Sequence, residues 1–100
     1  MSADGSIPTE RLHARVEGRV QGVGFRYFVL AAAQELHLTG WVRNRFDGSV
    51  EVTAEGPRKD LETLTFFLRK GPRSSFVSGV STDWQPATDE FTRFDVIATF

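Results

Sequence analysis

The sequence predicts an α+β sandwich, with two helices laid on one face of a mostly antiparallel sheet. Three observations predict it. Stretches of period-2 alternation are interrupted by two stretches of helical period, in the order β-α-β-β-α-β with one further strand. An Asp47-Gly48 pair between the second and third strands marks a hairpin, so these two run antiparallel. Finally, 100 residues with 40% hydrophobic content and nine Phe suffice for one core and one domain. This order is that of the split-βαβ, or ferredoxin-like, arrangement.

Residues 1–10 are polar, carry Gly5 and Pro8 and show no period, so they are expected to form a flexible N-terminal tail before a domain spanning 11–100. Leu12, Ala14 and Val16 alternate with His13, Arg15 and Glu17, the pattern of a strand with one buried face. Gly18 ends that strand. From Phe25 to about Leu38, apolar residues recur at 25, 28, 29, 32 and 36, on one face of a helix. Gly40 is the expected left-handed residue at its C-terminus. Trp41–Phe46 and Ser49–Glu55 read as the hairpin strands, with Val50, Val52 and Ala54 on one side and both Asp47 and Gly48 suited to positive φ. Pro57 fits the first turn of a second helix, whose Leu61, Leu64, Phe67 and Leu68 form an apolar stripe ending at Lys70-Gly71-Pro72. Phe76–Trp84 is a strand with Phe76, Ser78, Val80 and Thr82 on one parity, and Phe94–Phe100 is a final strand at the sheet edge.

Charge and composition exclude several functions. A formal net charge of −1, with both signs scattered, lacks the basic stripe of a nucleic-acid binder. The absence of cysteine removes thiolate nucleophiles, disulfides and cysteine-based metal sites. No apolar run reaches membrane-spanning length and the N-terminus is unlike a signal peptide, so a soluble, cytoplasmic protein is expected. No cluster of metal ligands is visible, and neither a metal nor another cofactor is expected.

Chemistry concentrates between Gly18 and Arg26, where Gly18, Gly22 and Gly24 fall within seven positions ahead of the first helix. Glycine lets successive backbone N–H groups converge on an anion, and a helix starting directly afterwards adds its unpaired N–H groups and positive dipole end. Arg26, in the first turn, offers a guanidinium fork for two oxygens. The loop is no Walker motif, because Gly-Lys-Ser/Thr is missing, and no dinucleotide fingerprint, because position 27 is Tyr. If the third strand lies between the first two, the ends of strands 1 and 2 emerge on one edge about 10 Å apart. Asn44, on the parity of Val42, then points to the helix-covered face beside the loop. His13 and His37 are expected to be structural or solvated, as are Arg15, Arg43 and Arg45. Arg19 lies in the loop and can help attract an anion.

These residues carry a specific resemblance. Gly18-Arg19-Val20-Gln21-Gly22-Val23-Gly24-Phe25-Arg26, Gly40-Trp41-Val42-Arg43-Asn44 and Asp47-Gly48-Ser49-Val50-Glu51-Val52 are similar to the motifs of the acylphosphatases. The resemblance runs from about residue 12 to the C-terminus, loosely over 73–90, with Phe46 where many relatives have Pro. It implies a βαββαβ fold and hydrolysis of acyl phosphates to a carboxylate and inorganic phosphate. It also implies that the backbone of Val20, Gln21, Gly22, Val23 and Gly24 binds phosphate, that Arg26 is essential and that Asn44 orients the attacking water. The implied protein is a free-standing, metal-free monomer whose partners are the small acyl phosphate and phosphate, with no nucleic acid or membrane. The alternative is a non-enzymatic anion-binding or partner-binding module on the same fold; retention of both Arg26 and Asn44 argues for the enzyme.

Overall fold

A computed structural model describes residues 7–100, so most of the expected tail, 1–6, lies outside the described residues. The elements are β1 (Thr9–Arg19), α1 (Phe25–Glu35), β2 (Thr39–Asn44), β3 (Val50–Pro57), α2 (Arg58–Lys70), β4 (Phe76–Pro86) and β5 (Phe94–Val96). Thr9 and Glu10, placed in the tail by the sequence, are already paired to Pro57 and Gly56 in β1. The strands form one sheet in the order β4-β1-β3-β2-β5, antiparallel except for the β2–β5 pair. β3 thus lies between β1 and β2, the ferredoxin-like arrangement that the element order implies.

The core lies between sheet and helices. Leu12, Ala14 and Val16 of β1, Val42 of β2 and Val50, Val52 and Ala54 of β3 are fully buried there. They meet Phe25, Val29 and Ala33 on α1 and Leu61, Leu64 and Leu68 on α2, whose spacings of three and four keep each set on one helix face. Phe94 joins this core, whereas Phe46, Phe66, Phe76 and Phe100 are exposed. No helix among the described residues is long and apolar enough to cross a membrane.

Several local expectations are corrected. α1 stops at Glu35 rather than Leu38, and the left-handed residue is His37 (φ 56°), not Gly40. His37 N donates to Gln34 O at 3.0 Å and Leu38 N to Ala33 O at 2.9 Å, the paired bonds of a Schellman motif. Gly40 instead lies inside β2, where a Cβ would come within 1.9 Å of Thr53 O. The hairpin has a three-residue loop rather than two positive-φ positions: Arg45 N donates to Ser49 O, Gly48 N donates to Arg45 O, and of the pair only Gly48 has positive φ. The single parity expected for β4 is broken because its register with β1 shifts between Glu17 and Gly18, which pair with Gly79 and Val77. Ser78 is the extra residue, so Val77 and Val80, of opposite parity, both pack on the core. Strand geometry ends at Val96, but Ile97 N still donates to Val42 O and Phe100 N to Asn44 O.

The face opposite the helices carries a charged layer. Glu51, Thr53 and Glu55 of the central strand are only 8%, 4% and 4% exposed because long side chains cover them. Glu51 receives His13 Nε2 at 2.6 Å, Arg43 Nε at 2.8 Å and Arg45 Nη1 at 3.0 Å. Arg43 is itself held between the Trp41 and Phe100 rings, 4.7 Å from each centroid. Arg15 pairs with Asp47. Arg11 and the backbone N–H groups of Thr88 and Asp89 satisfy Glu55. His13 is therefore structural as expected, while Arg15, Arg43 and Arg45 are ion-paired and do not form a free basic surface.

Candidate active site

β1 and β2 are parallel to one another through β3, so both end at the same edge of the sheet. Val16, Val50 and Asn44 occupy one row across β1, β3 and β2. Val16 and Val50 are fully buried against the helices, and Asn44 shares their face. The row spans about 10 Å, twice the interstrand spacing. The loop 20–24 leaves just beyond it.

Two valines fasten that loop. Val20 is buried and Val23 packs partly against the core, while Gly22 and Gly24 are exposed. Gly22 and Gly24 have φ of 73° and 79°, and a Cβ on either would meet nothing within 4 Å. Glycine is needed here for backbone conformation, because an L side chain in this region costs roughly 1–2 kcal/mol. The result is a loop surface unobstructed by side chains at two positions.

α1 begins directly at Phe25. Its N-cap, Gly24, provides no side-chain cap, and no acidic residue stands in the first turn. Helices usually satisfy their first N–H groups with a Ser, Thr, Asp or Asn oxygen and place carboxylates near the positive dipole end. Here the first intrahelical bond runs from Phe28 N to Gly24 O at 3.0 Å, so Phe25, Arg26 and Tyr27 keep their N–H groups without an intrahelical acceptor. Arg26 is half-buried and forms no ion pair with a described residue, unlike Arg11, Arg15, Arg43, Arg45, Arg58 and Arg93. Arg19 is exposed at the end of β1.

Asn44 closes the edge from the other side. Its Oδ1 is buried and accepts no hydrogen bond from a described residue, although Asn44 O is bound by Phe100 N at 3.2 Å. A buried polar atom without a partner costs about 1–3 kcal/mol, so a hydrogen-bond donor reaching Asn44 Oδ1 would be stabilising.

The hairpin after Asn44 is firmly built. Asp47 Oδ1 accepts from Ser49 N at 3.0 Å and Ser49 Oγ at 2.6 Å, and these bonds lower the Asp47 carboxyl below its ordinary pKa. Gln21, named from the sequence for its backbone, contributes its side chain too: Nε2 donates to Arg45 O at 2.7 Å and Ser49 O at 2.9 Å. Sequence reasoning missed this contact. The only hint was an amide-bearing side chain in a loop otherwise of glycine and valine.

The start of α1 presents N–H groups without intrahelical acceptors next to Arg26, and this positive potential is complementary to an oxyanion with several oxygens, such as a phosphate. Known proteins make the class narrower. The family model described as Acylphosphatase matches residues 12–96. The Salinibacter ruber acylphosphatase is 51% identical over 87 residues, covering 87% of this chain and 92% of that protein. The crystal structure of acylphosphatase from Bacillus subtilis superimposes with a TM-score of 0.85 at 40% identity, covering 88% of this chain and 98% of that one. A Coxiella burnetii acylphosphatase gives 0.84 at 39% identity, covering 90% and 94%. The chain belongs to the acylphosphatase family.

Proposed function

We propose that the chain hydrolyses small-molecule acyl phosphates to a carboxylate and inorganic phosphate, using the loop 20–24, Arg26 and Asn44. An acyl phosphate is a mixed anhydride whose leaving group is a carboxylate, with a pKa near 4 like those of Asp and Glu. Such a group departs without a proton, so the reaction needs no general acid. Phosphoryl transfer with a loose transition state is chiefly positioning and charge stabilisation. The backbone N–H groups of Val20, Gln21, Gly22, Val23 and Gly24 hold the phosphoryl oxygens, and the Arg26 guanidinium binds two of them as charge accumulates. The Asn44 amide orients a water in line with the departing carboxylate. As the water oxygen bonds to phosphorus and the bond to the acyl oxygen breaks, its proton passes to a phosphoryl oxygen, since an amide is no base. The products are a carboxylate and monohydrogen or dihydrogen phosphate.

The observation that carries this reading is the uncapped start of α1 beside Arg26, whose guanidinium has no carboxylate partner among the described residues. An anionic substrate supplies what side chains provide at most helix starts. The same reading makes the protein a metal-free, cytoplasmic monomer acting on small molecules rather than nucleic acid. The absence of cysteine and the near-neutral net charge of −1 support it.

The deciding experiment is hydrolysis of benzoyl phosphate in the presence of EDTA, followed by benzoate formation and phosphate release in equal amounts. Turnover unaffected by EDTA is expected. Phosphate binding without turnover above the spontaneous rate would overturn the enzymatic reading. Loss of activity in EDTA, restored by a divalent cation, would overturn the metal-free mechanism.

A further inference from the structure

We propose that the Gln21 side chain is a positioning residue that holds the phosphate loop in register with Asn44; this rests on the roles proposed above for loop and amide. The need for such a device follows from the sheet. The Val16–Val50–Asn44 row is the last that crosses β1, β3 and β2. Beyond it, Glu17, Gly18 and Arg19 pair only with β4, on the side away from β2. The ladder therefore carries the chain toward the loop without tying it to the strand that bears Asn44. Among the described residues, the hydrogen bonds joining 20–24 to 44–49 are the two donated by Gln21 Nε2.

Their acceptors are informative. Arg45 and Ser49 are the closing pair of the β2–β3 hairpin, and Arg45 immediately follows Asn44. Both acceptors are carbonyls, so only the NH2 end of the amide fits, and both its donors are spent. Each carbonyl also has a partner within the hairpin: Gly48 N donates to Arg45 O at 3.1 Å and Arg45 N to Ser49 O at 2.9 Å. The hairpin thus closes without Gln21. What Gln21 adds is the distance between the two halves of the site.

This separates catalysis from binding and from folding. In Gln21→Met, which keeps length and removes both donors, kcat for benzoyl phosphate is expected to fall about 10- to 100-fold, the range associated with misplacement of about 1 Å. The inhibition constant for inorganic phosphate, which reports loop and Arg26, should stay within about threefold, because binding common to ground and transition states is left intact. In an Asn44→Ala background the same substitution should change kcat by less than about twofold, since residues acting through one another are non-additive. If the two substitutions multiply, or if Gln21→Met turns over at the wild-type rate while Asn44→Ala is slow, the positioning role is wrong and the function proposed above stands. If Asn44→Ala itself has wild-type kcat, the water-orienting role fails and the positioning role with it. A measurement on the unsubstituted protein guards against misfolding of the variant: the two Gln21 Nε2 proton resonances should exchange slowly with solvent, and fast exchange of both would overturn the proposal.

Discussion

Replacing Glu51 by glutamine tests the charged layer over the sheet's open face. Burial alone would raise the Glu51 carboxyl, yet hydrogen bonds from His13, Arg43 and Arg45 more than offset it and hold the pKa at about 2 against an ordinary 4.5. The side chain is only 11% exposed, so solvent screening takes little from this difference. At 1.36 kcal/mol per pKa unit, the carboxylate contributes about 3 kcal/mol to folding at neutral pH. The sign follows from linkage: the folded pKa is depressed, so the contribution is complete above the unfolded value of 4.5 and drains away as pH falls toward 2. Glu51→Gln should therefore destabilise the domain by about 3 kcal/mol at pH 7, lowering Tm by roughly 12–24 °C for a domain of this size. The gap between wild type and variant should narrow steadily below pH 5 and nearly close by pH 2. Urea titrations of both proteins at pH 7, 5, 4 and 3 measure it, and comparing the pair cancels the contributions of Asp47, Glu55 and Glu90, which are also held below their ordinary values. A gap that stayed constant from pH 7 to pH 3 would refute the reasoning.

Arg26→Ala should lose phosphate binding and turnover together, because a charged hydrogen bond is worth about 1.5–3 kcal/mol and a bidentate pair more; isothermal titration with phosphate and benzoyl phosphate kinetics check both. Asn44→Ala should bind phosphate nearly as wild type yet lose most of kcat, and a raised KM with unchanged kcat would contradict water orientation. His37→Gly should raise stability by about 1 kcal/mol, since position 37 holds a left-handed conformation that an L side chain tolerates poorly; thermal unfolding at one pH reads it directly.

The sequence by itself determined what depends on neighbours a few positions apart. Alternation at Leu12, Ala14 and Val16 fixed the buried face of β1, because successive strand side chains point to opposite sides. Spacings of three and four at Phe25, Phe28, Val29, Ala32 and Leu36 did the same for α1, and all of these are buried in the core or packed against it. Gly22 and Gly24 marked a loop whose backbone only glycine leaves so free, and in the structure both have positive φ. With Arg26 they marked half of the candidate site, and the element order alone brought Asn44 to the same edge. Only the tertiary structure decided the rest, each time because a distant backbone or charge outweighed local preference. Gly40 resembles a helix stop but needs to be a glycine because Thr53 of the next strand crosses close to it, and the left-handed turn falls at His37 instead. Ser78 breaks the parity of β4 because β1 changes register opposite it. Glu51 is buried with a low pKa because the pairing of β3 with both β1 and β2 gathers His13, Arg43 and Arg45 around it. Gln21 reaches two carbonyls of a hairpin 24 and 28 positions away. Such contacts depend on which strands become neighbours, and that choice rests on burial summed over the whole core rather than on any local pattern.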